Sequence, residues 1–391
     1  MRAMFAGLML IVAGVAQGQG AARADSGGFL TRIGSDTLAV ERWVRSGDSI
    51  FGDYVTRSPK TTRGTYLAQL ASDGSFSHFE VIFEPTGTRM EVTRDGSVGR
   101  YTVARAGHKP ESGVDTLGAS PGVVVPLLEP AFGMHQLLVD RALAAKGAPV
   151  PFTWAFVVGW AQPGTAVIGR TRDTVLIETP TDTIHVAVDG HGRVLAMSDV
   201  GGTLQATVVR IPWPNIDTWQ TTFAARDAAG KGLGTLSPRD TVRATVGAAH
   251  VLVDYSRPTR RGRVIFGGVV PFNTVWRTGA NAATTLVTDR DLVIGETPVP
   301  AGTYTLFSVP APKGWQLIVS KLTGEWGTDY DPKSDLARIP MTVDATASPI
   351  EKFTIAIDGA DKGTAALTLA WDTTVARVSM RAADAGATTG R

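Results

Sequence analysis

The chain has 391 residues, of which 43% are hydrophobic and 19% charged, a composition typical of a globular protein with room for two domains. Its 38 basic and 36 acidic residues leave a formal net charge of +2, which is too small to indicate nucleic-acid binding. The absence of cysteine excludes disulfides, thiolate nucleophiles and cysteine metal sites. The 44 glycines and 22 prolines indicate many turns, and we predict a mainly β protein.

The first 24 residues have the pattern of a secretory signal peptide. Arg2 precedes an apolar run from residue 3 to residue 15, which is too short to span a bilayer as a stable helix. Small residues predict cleavage between Ala16 and Ala24. We therefore expect a periplasmic or secreted bacterial protein, with no transmembrane segment in the mature chain.

Residues 25–211 are predicted to form an N-terminal antiparallel β domain. From Thr37 to Ala104 apolar and polar residues alternate in strand period, with glycine-containing turns at 46–48, 72–74, 85–87 and 94–96. An amphipathic helix is predicted over 130–146, and six further strands are predicted between 151 and 211. We expect a meander or a half-barrel around the helix, which is similar in outline to periplasmic lipoprotein carriers.

The remainder of the chain divides into a linker, a second domain and a tail. Residues 212–236 mix proline, glycine and alanine and are predicted to be a linker, with one short ordered piece from Trp213 to Phe223. Eight short strands are predicted within 237–380, which favours a C-terminal β-sandwich. The small, polar residues 381–391 are expected to be a disordered tail.

The segment from Tyr255 to Thr285 is rich in arginine and contains no acidic residue. Guanidinium groups near a folded surface need anionic partners, so this segment either braces the fold or binds a ligand. In the first alternative the arginines pair with acids elsewhere, such as Asp254, Asp289, Asp291, Glu325 or Asp329. In the second, some of them converge on a carboxylate, a phosphate or an acidic sugar.

Four tryptophans in the second domain also admit two interpretations. Trp276, Trp315, Trp326 and Trp371 form either a sugar-stacking platform or part of the core. The candidate ligand-binding residues of the second domain are Arg257, Arg261, Arg263, Trp276, Arg277, Asn281 and Trp326.

Three blocks in the second half of the chain carry a resemblance to a known family. They are the arginine-rich segment, the stretch from Val299 to Phe307 and the tryptophan-glycine stretch from Ser320 to Asp331. In this order they resemble the bacterial domain of unknown function 2911, over about residues 237–380. Phe272 stands where the family usually has tyrosine and Ala282 where it often has glutamate, which weakens any catalytic role for either position.

Catalytic and metal-binding motifs are weak. Residues 118–122 match G-x-S-x-G, but Pro121 lacks the backbone N–H that an oxyanion hole takes from the residue after the serine. The six histidines lack metal-ligand spacing, and the acidic stretch 329–335 lacks the glycine and glutamate of a calcium loop. We therefore expect no metal and no cofactor, and the sequence does not decide whether the protein is an enzyme.

These observations favour an exported, non-catalytic envelope protein. Its second domain is expected to bind a small anionic or carbohydrate ligand or a protein partner. One alternative is a hydrolase with its site near Arg277 and Asn281. Another is an apolar-ligand carrier that uses the N-terminal half-barrel.

Overall fold

The structure is a computed structural model, and it describes residues 25–117, 122–156, 161–169, 171, 173–180, 182–200, 204–360 and 364–383. The predicted signal peptide, residues 118–121 of the G-x-S-x-G match and residues 384–391 of the expected tail lie outside these ranges. The chain forms two compact units, which meet in sequence at Gly234 and Thr235. Within the described ranges, no helix combines the length and the apolar content needed to cross a bilayer.

Unit 1 is built on one sheet of 15 strands, counted over the described residues. Its strands run in the spatial order β8-β7-β6-β5-β4-β3-β2-β1-β15-β14-β13-β12-β11-β10-β9. Their bounds are β1 Asp25–Ile33, β2 Asp36–Ser46, β3 Ser49–Thr56, β4 Thr62–Leu70, β5 Phe76–Glu84, β6 Thr88–Asp95, β7 Val98–Ala104, β8 Glu111–Thr116, β9 Val123–Leu127, β10 Val150–Phe156, β11 Ala161–Ile168, β12 Thr174–Glu178, β13 Thr183–Val188, β14 Val194–Val200 and β15 Ala206–Ile211.

The predicted meander is confirmed from β2 to β7. Tyr66, Ala68 and Leu70 of β4 are buried on one face, as their alternation with polar residues indicates. The glycines of the four predicted turns all adopt positive φ, between 57° and 73°, a conformation that other residues rarely adopt. Each turn therefore reverses the chain where the sequence places it.

The sheet departs from a pure meander at strands β9 and β10, which pair in parallel. Helix α1, His135–Ala144, connects these two strands. Because the connection is a helical crossover, β10 runs in the same direction as β9. The helix begins later than the predicted residue 130, because Leu128 and Ala131 pair as an isolated bridge and form a turn. Strand β9 also contacts the distant β4–β5 turn, where the Val124 amide donates to Ser75 Oγ over 3.0 Å. The sheet thus curves around the helix, as expected for a half-barrel.

Helix α1 fills the interior of the curved sheet. Leu137, Leu138, Val139 and Ala142 of the helix are buried in one apolar cluster with side chains of both halves of the sheet. The largest of these sheet side chains are Trp43, Tyr66, Phe79, Phe152 and Trp154. An apolar-ligand carrier would need this interior to open.

A second helix lies in the predicted linker. Helix α2 spans Ile216–Ala228, and Asn215 caps it by accepting from the Thr218 amide over 3.2 Å. Its apolar residues Ile216 and Phe223 pack with Val40 and Val55 of the sheet. The segment that composition predicted to be a linker is therefore largely folded onto unit 1. Two apolar residues seven positions apart are too sparse a signal to predict such a helix.

Unit 2 is built on a nine-stranded sheet, again counted over the described residues, in the order β16-β17-β18-β21-β22-β23-β24-β19-β20. A short 3-10 turn, Pro332–Ser334, precedes β23. The strands are β16 Arg239–Val246, β17 Ala249–Ser256, β18 Thr284–Thr288, β19 Leu292–Ile294, β20 Thr297–Val299, β21 Gly302–Val309, β22 Trp315–Ser320, β23 Asp335–Asp358 and β24 Thr364–Ala382.

The long strands β23 and β24 join the two layers of unit 2. The first part of β23 pairs with β22, and the rest, from Thr342 onward, pairs with β24 with two register shifts along the pairing. Tyr255 of β17 accepts a hydrogen bond from the Ile355 amide of β23 over 3.0 Å, and its ring lies 5.7 Å from that of Phe353. The two layers thus pack face to face, and the predicted fold class, mainly β with a C-terminal β-sandwich, is confirmed.

Candidate functional site

The arginine-rich segment runs between β17 and β18, and its first arginine braces the sandwich. Arg257 forms an ion pair with Asp240 of β16, with 2.9 Å between Nη1 and Oδ2. Its other guanidinium nitrogens donate to the Phe353 carbonyl over 3.1 Å and to Thr354 Oγ1 over 2.9 Å. A fork that joins β16 to β23 in this way holds the loop in place.

The next arginines hold the same segment against β23 and β24. Arg260 Nε lies 2.8 Å from Asp372 Oδ1, and the Arg261 amide donates to Glu351 Oε1 over 2.8 Å. Arg263 donates to the carbonyls of Arg260 and Thr259, over 3.0 and 2.6 Å. These contacts support the bracing interpretation for this part of the segment.

The acids that pair with Arg257 and Arg260 are not among those that the sequence suggested. Asp254 instead pairs with Arg239 over 2.8 Å, and Asp289 accepts from the His250 amide over 2.6 Å. Asp240 of β16 lies 17 residues before Arg257. Glu351 of β23 and Asp372 of β24 lie far along the chain, where no local pattern marks them.

The tryptophans divide between core and surface. Trp276 is 5% exposed, stacks on Trp371 with 6.0 Å between ring centroids, and lies 5.0 Å from Phe353. Trp315 is 3% exposed and packs in the same cluster. Three of the four tryptophans are therefore core residues and form no platform. Trp326 differs, because it is 52% exposed.

Two short stretches come together around Trp326, and we call residues 277–283 and 324–328 the loop pair. Trp326 pairs with Ala282 as an isolated bridge, and the Gly327 amide donates to the Asn281 carbonyl over 3.0 Å. Arg277 Nη1 lies 3.5 Å from that same carbonyl. The loop pair thus unites three of the predicted site residues, Arg277, Asn281 and Trp326.

Gly327 lets the arginine lie across the loop pair. A Cβ at this position would be 2.6 Å from Cδ of Arg277 and 2.6 Å from the Asn281 carbonyl oxygen, which is closer than real Cβ contacts. Asn281 is exposed and has φ of 59°. Only a glycine at 327 fits this approach of the two backbones.

The electrostatics of the loop pair are unusual. Burial lowers the pKa of the Arg277 guanidinium, because its charged form loses water. Both carboxylate oxygens of Glu325 are buried, and neither has a hydrogen-bond partner among the described residues. A buried carboxylate without donors is costly, so this position calls for a donor beyond those that the described residues supply. The sequence suggested Glu325 only as an arginine partner and missed it as a site residue.

The comparisons with known proteins bear on unit 2. Residues 237–380 match the family model described as protein of unknown function, DUF2911. The match confirms the resemblance, and the N-terminal part of the chain has no family match.

No curated protein matches the chain. Among solved structures, it is similar to a DUF1089 family protein from Pseudomonas aeruginosa, with 12% sequence identity and a TM-score of 0.30. The alignment covers 41% of this chain and 89% of that one. Over the described residues, no three histidine or acidic side chains are grouped so that they could hold a metal ion.

Proposed function

We propose that unit 2 is a binding module that recognises a carbohydrate carrying an acidic group, and that the loop pair is its site. The observation that carries the proposal is the exposed ring of Trp326 in the same loop pair as the guanidinium of Arg277. An exposed indole offers an apolar face to a sugar ring, and a guanidinium suits an acidic group.

The other side chains of the loop pair complete the recognition. The planar guanidinium of Arg277 matches a carboxylate in a bidentate manner, and its desolvation favours an anionic partner. The exposed amide of Asn281 supplies both a donor and an acceptor at the rim. Stacking, charge and hydroxyl recognition then act on one ligand.

The loop pair supports binding better than hydrolysis. Glycoside hydrolysis generally uses two carboxyl groups on opposite sides of the scissile bond. Within the loop pair, Glu325 is the one acidic residue, and Ala282 stands where a second acid is often found in the family. This favours the binding module over the hydrolase alternative.

The test is a titration of the protein with oligosaccharides of glucuronic acid and with the matching glucose oligosaccharides, followed by calorimetry. We expect binding of the acidic series, and a loss of at least about tenfold in affinity for Trp326→Ala. Trp213→Ala is the matched control, because Trp213 is 50% exposed and lies in unit 1. Arg277→Lys should abolish the preference for acidic over neutral ligands. Absence of binding to either series, or equal losses for both tryptophan variants, would contradict the proposal.

Export belongs to the same proposal, since an acidic polysaccharide lies outside the cytoplasm. It rests on the pattern of residues 1–24, which are outside the described ranges. N-terminal sequencing of the mature protein would decide it, with a first residue between 17 and 25 expected.

A further inference from the structure

A buried carboxyl group joins the sheet of unit 1 to the turn before helix α1. Glu41 of β2 is 1% exposed. Its Oε1 accepts from the Tyr66 hydroxyl of β4 over 2.5 Å, and its Oε2 accepts from the Phe132 amide over 2.6 Å. The Gly133 amide lies 3.1 and 3.2 Å from the two oxygens. One side chain thus connects two strands and the turn 131–133.

The turn is pressed onto the interior face of the sheet around this carboxyl. A Cβ at Gly133 would be 2.5 Å from Cγ of Trp43 and 2.9 Å from the Tyr66 hydroxyl. Helix α1 starts two residues later, at His135, and buries its apolar face in the same cluster. Release of the turn would therefore uncover the apolar interior of unit 1.

The groups around Glu41 do not balance its charge. Tyr54 of β3 lies directly opposite in the register, Tyr66 of β4 donates to the carboxylate, and Phe29 of β1 does not titrate. His135 of the helix is buried, and burial lowers its pKa to about 4, so it is neutral above pH 5. Within the described residues no cation offsets the charge of Glu41, and burial raises the pKa of its carboxyl to about 7 despite the three donors.

We propose that Glu41 is a proton-operated latch: loss of its proton loosens the turn 131–133 and helix α1 from the sheet. The direction of the pH effect follows from the linkage between proton binding and stability. A carboxyl whose pKa is raised in the closed form binds its proton more tightly there than in an open, solvated form. The stabilisation of the closed form is complete below pH 4.5 and is lost as the pH rises through about 7.

Hydrogen exchange of the full chain between pH 5 and pH 8, read by mass spectrometry over residues 130–145, tests the latch. After correction for the intrinsic exchange rate, we expect protection of these amides to fall by roughly one to two orders of magnitude across this range. Peptides of β7 should show no such fall. Glu41→Gln should flatten the dependence, because the titrating group is gone.

Two nearby acids provide matched controls. Burial also raises the pKa of Asp140 on α1, which pairs with Arg45 over 3.1 Å, and of Glu129, where Asp182 adds to the effect. Asp140→Asn and Glu129→Gln should each keep the pH dependence.

If Glu41→Gln does not fold, Tyr66→Phe provides the test. This variant removes one donor from the carboxylate, so the midpoint of the pH dependence should move to higher pH. A flat wild-type profile, or an unchanged midpoint in Tyr66→Phe, would overturn the latch.

Discussion

Asn281 shows how a single residue shapes the loop pair through its backbone. Its φ of 59° is costly for most residues but tolerated by asparagine and free for glycine. We predict that Asn281→Ala lowers the free energy of unfolding by about 1 kcal/mol, whereas Asn281→Gly changes it little. Urea denaturation measures both. An alanine variant as stable as the wild type would show that this backbone conformation carries no strain.

The same residues show what the sequence can and cannot predict about a site. Composition alone marks the arginine-rich segment, but guanidinium chemistry left bracing and ligand binding as alternatives. Composition does not distinguish Trp276, which is 5% exposed, from Trp326, which is 52% exposed. Trp276 precedes an arginine and Trp326 precedes a glycine, and neither neighbour indicates whether the tryptophan is buried. Burial depends on contacts with Phe353 and Trp371, which are distant in sequence. For the same reason Glu325 was not predicted as a site residue.

A charged network at the scale of elements ties helix α2 to the sheet of unit 1. Asp53 of β3 has a side chain only 2% exposed and pairs with Arg42 over 2.8 Å and with Arg63 over 2.6 Å. Arg63 in turn meets Asp217, in the first turn of the helix, over 2.6 Å. Because Asp53 balances two guanidiniums, it is the centre of the network.

Removal of this centre should cost far more than removal of its outer member. Asp53→Asn removes the anion that Arg42 pairs with and leaves Arg63 with only the exposed Asp217, so we expect the free energy of unfolding to fall by about 3 kcal/mol. Asp217→Asn is the matched control, since the Asp217 side chain is 76% exposed, and its loss should stay below about 1 kcal/mol. Thermal unfolding of both variants tests the difference. Similar losses in the two would contradict the central role of Asp53.

Strands were easier to predict than the second helix. Alternating burial and left-handed turn glycines act locally, so β2 to β7 could be read from the sequence. The parallel pairing of β9 and β10 could not, because it depends on where helix α1 returns the chain. Strand β23, with 24 residues, is longer than the short strands predicted for this domain, since a bulge and a loop have the same polar signature.

At the scale of the whole molecule, the linker between the two units is shorter than the composition of residues 212–236 predicts. Asp227, near the end of α2, accepts from the amide and hydroxyl of Thr61, both over 2.7 Å. The Gly234 carbonyl accepts from Ser58 over 3.1 Å, next to the point where the units divide. The readily cleaved part of residues 212–236 is thus confined to the few residues that follow helix α2.

Limited trypsin digestion tests this division, because the segment offers one site inside helix α2 and one beyond it. We predict that cleavage after Lys231 precedes cleavage after Arg226, whose backbone is held in the helix. The two products should then resist further digestion, as expected for units with their own cores. Lys231→Gln should slow the first cut without changing the stability of either unit. Equal rates at the two sites would mean that the helix is not stably docked, and an uncut chain would mean that the units are not separable.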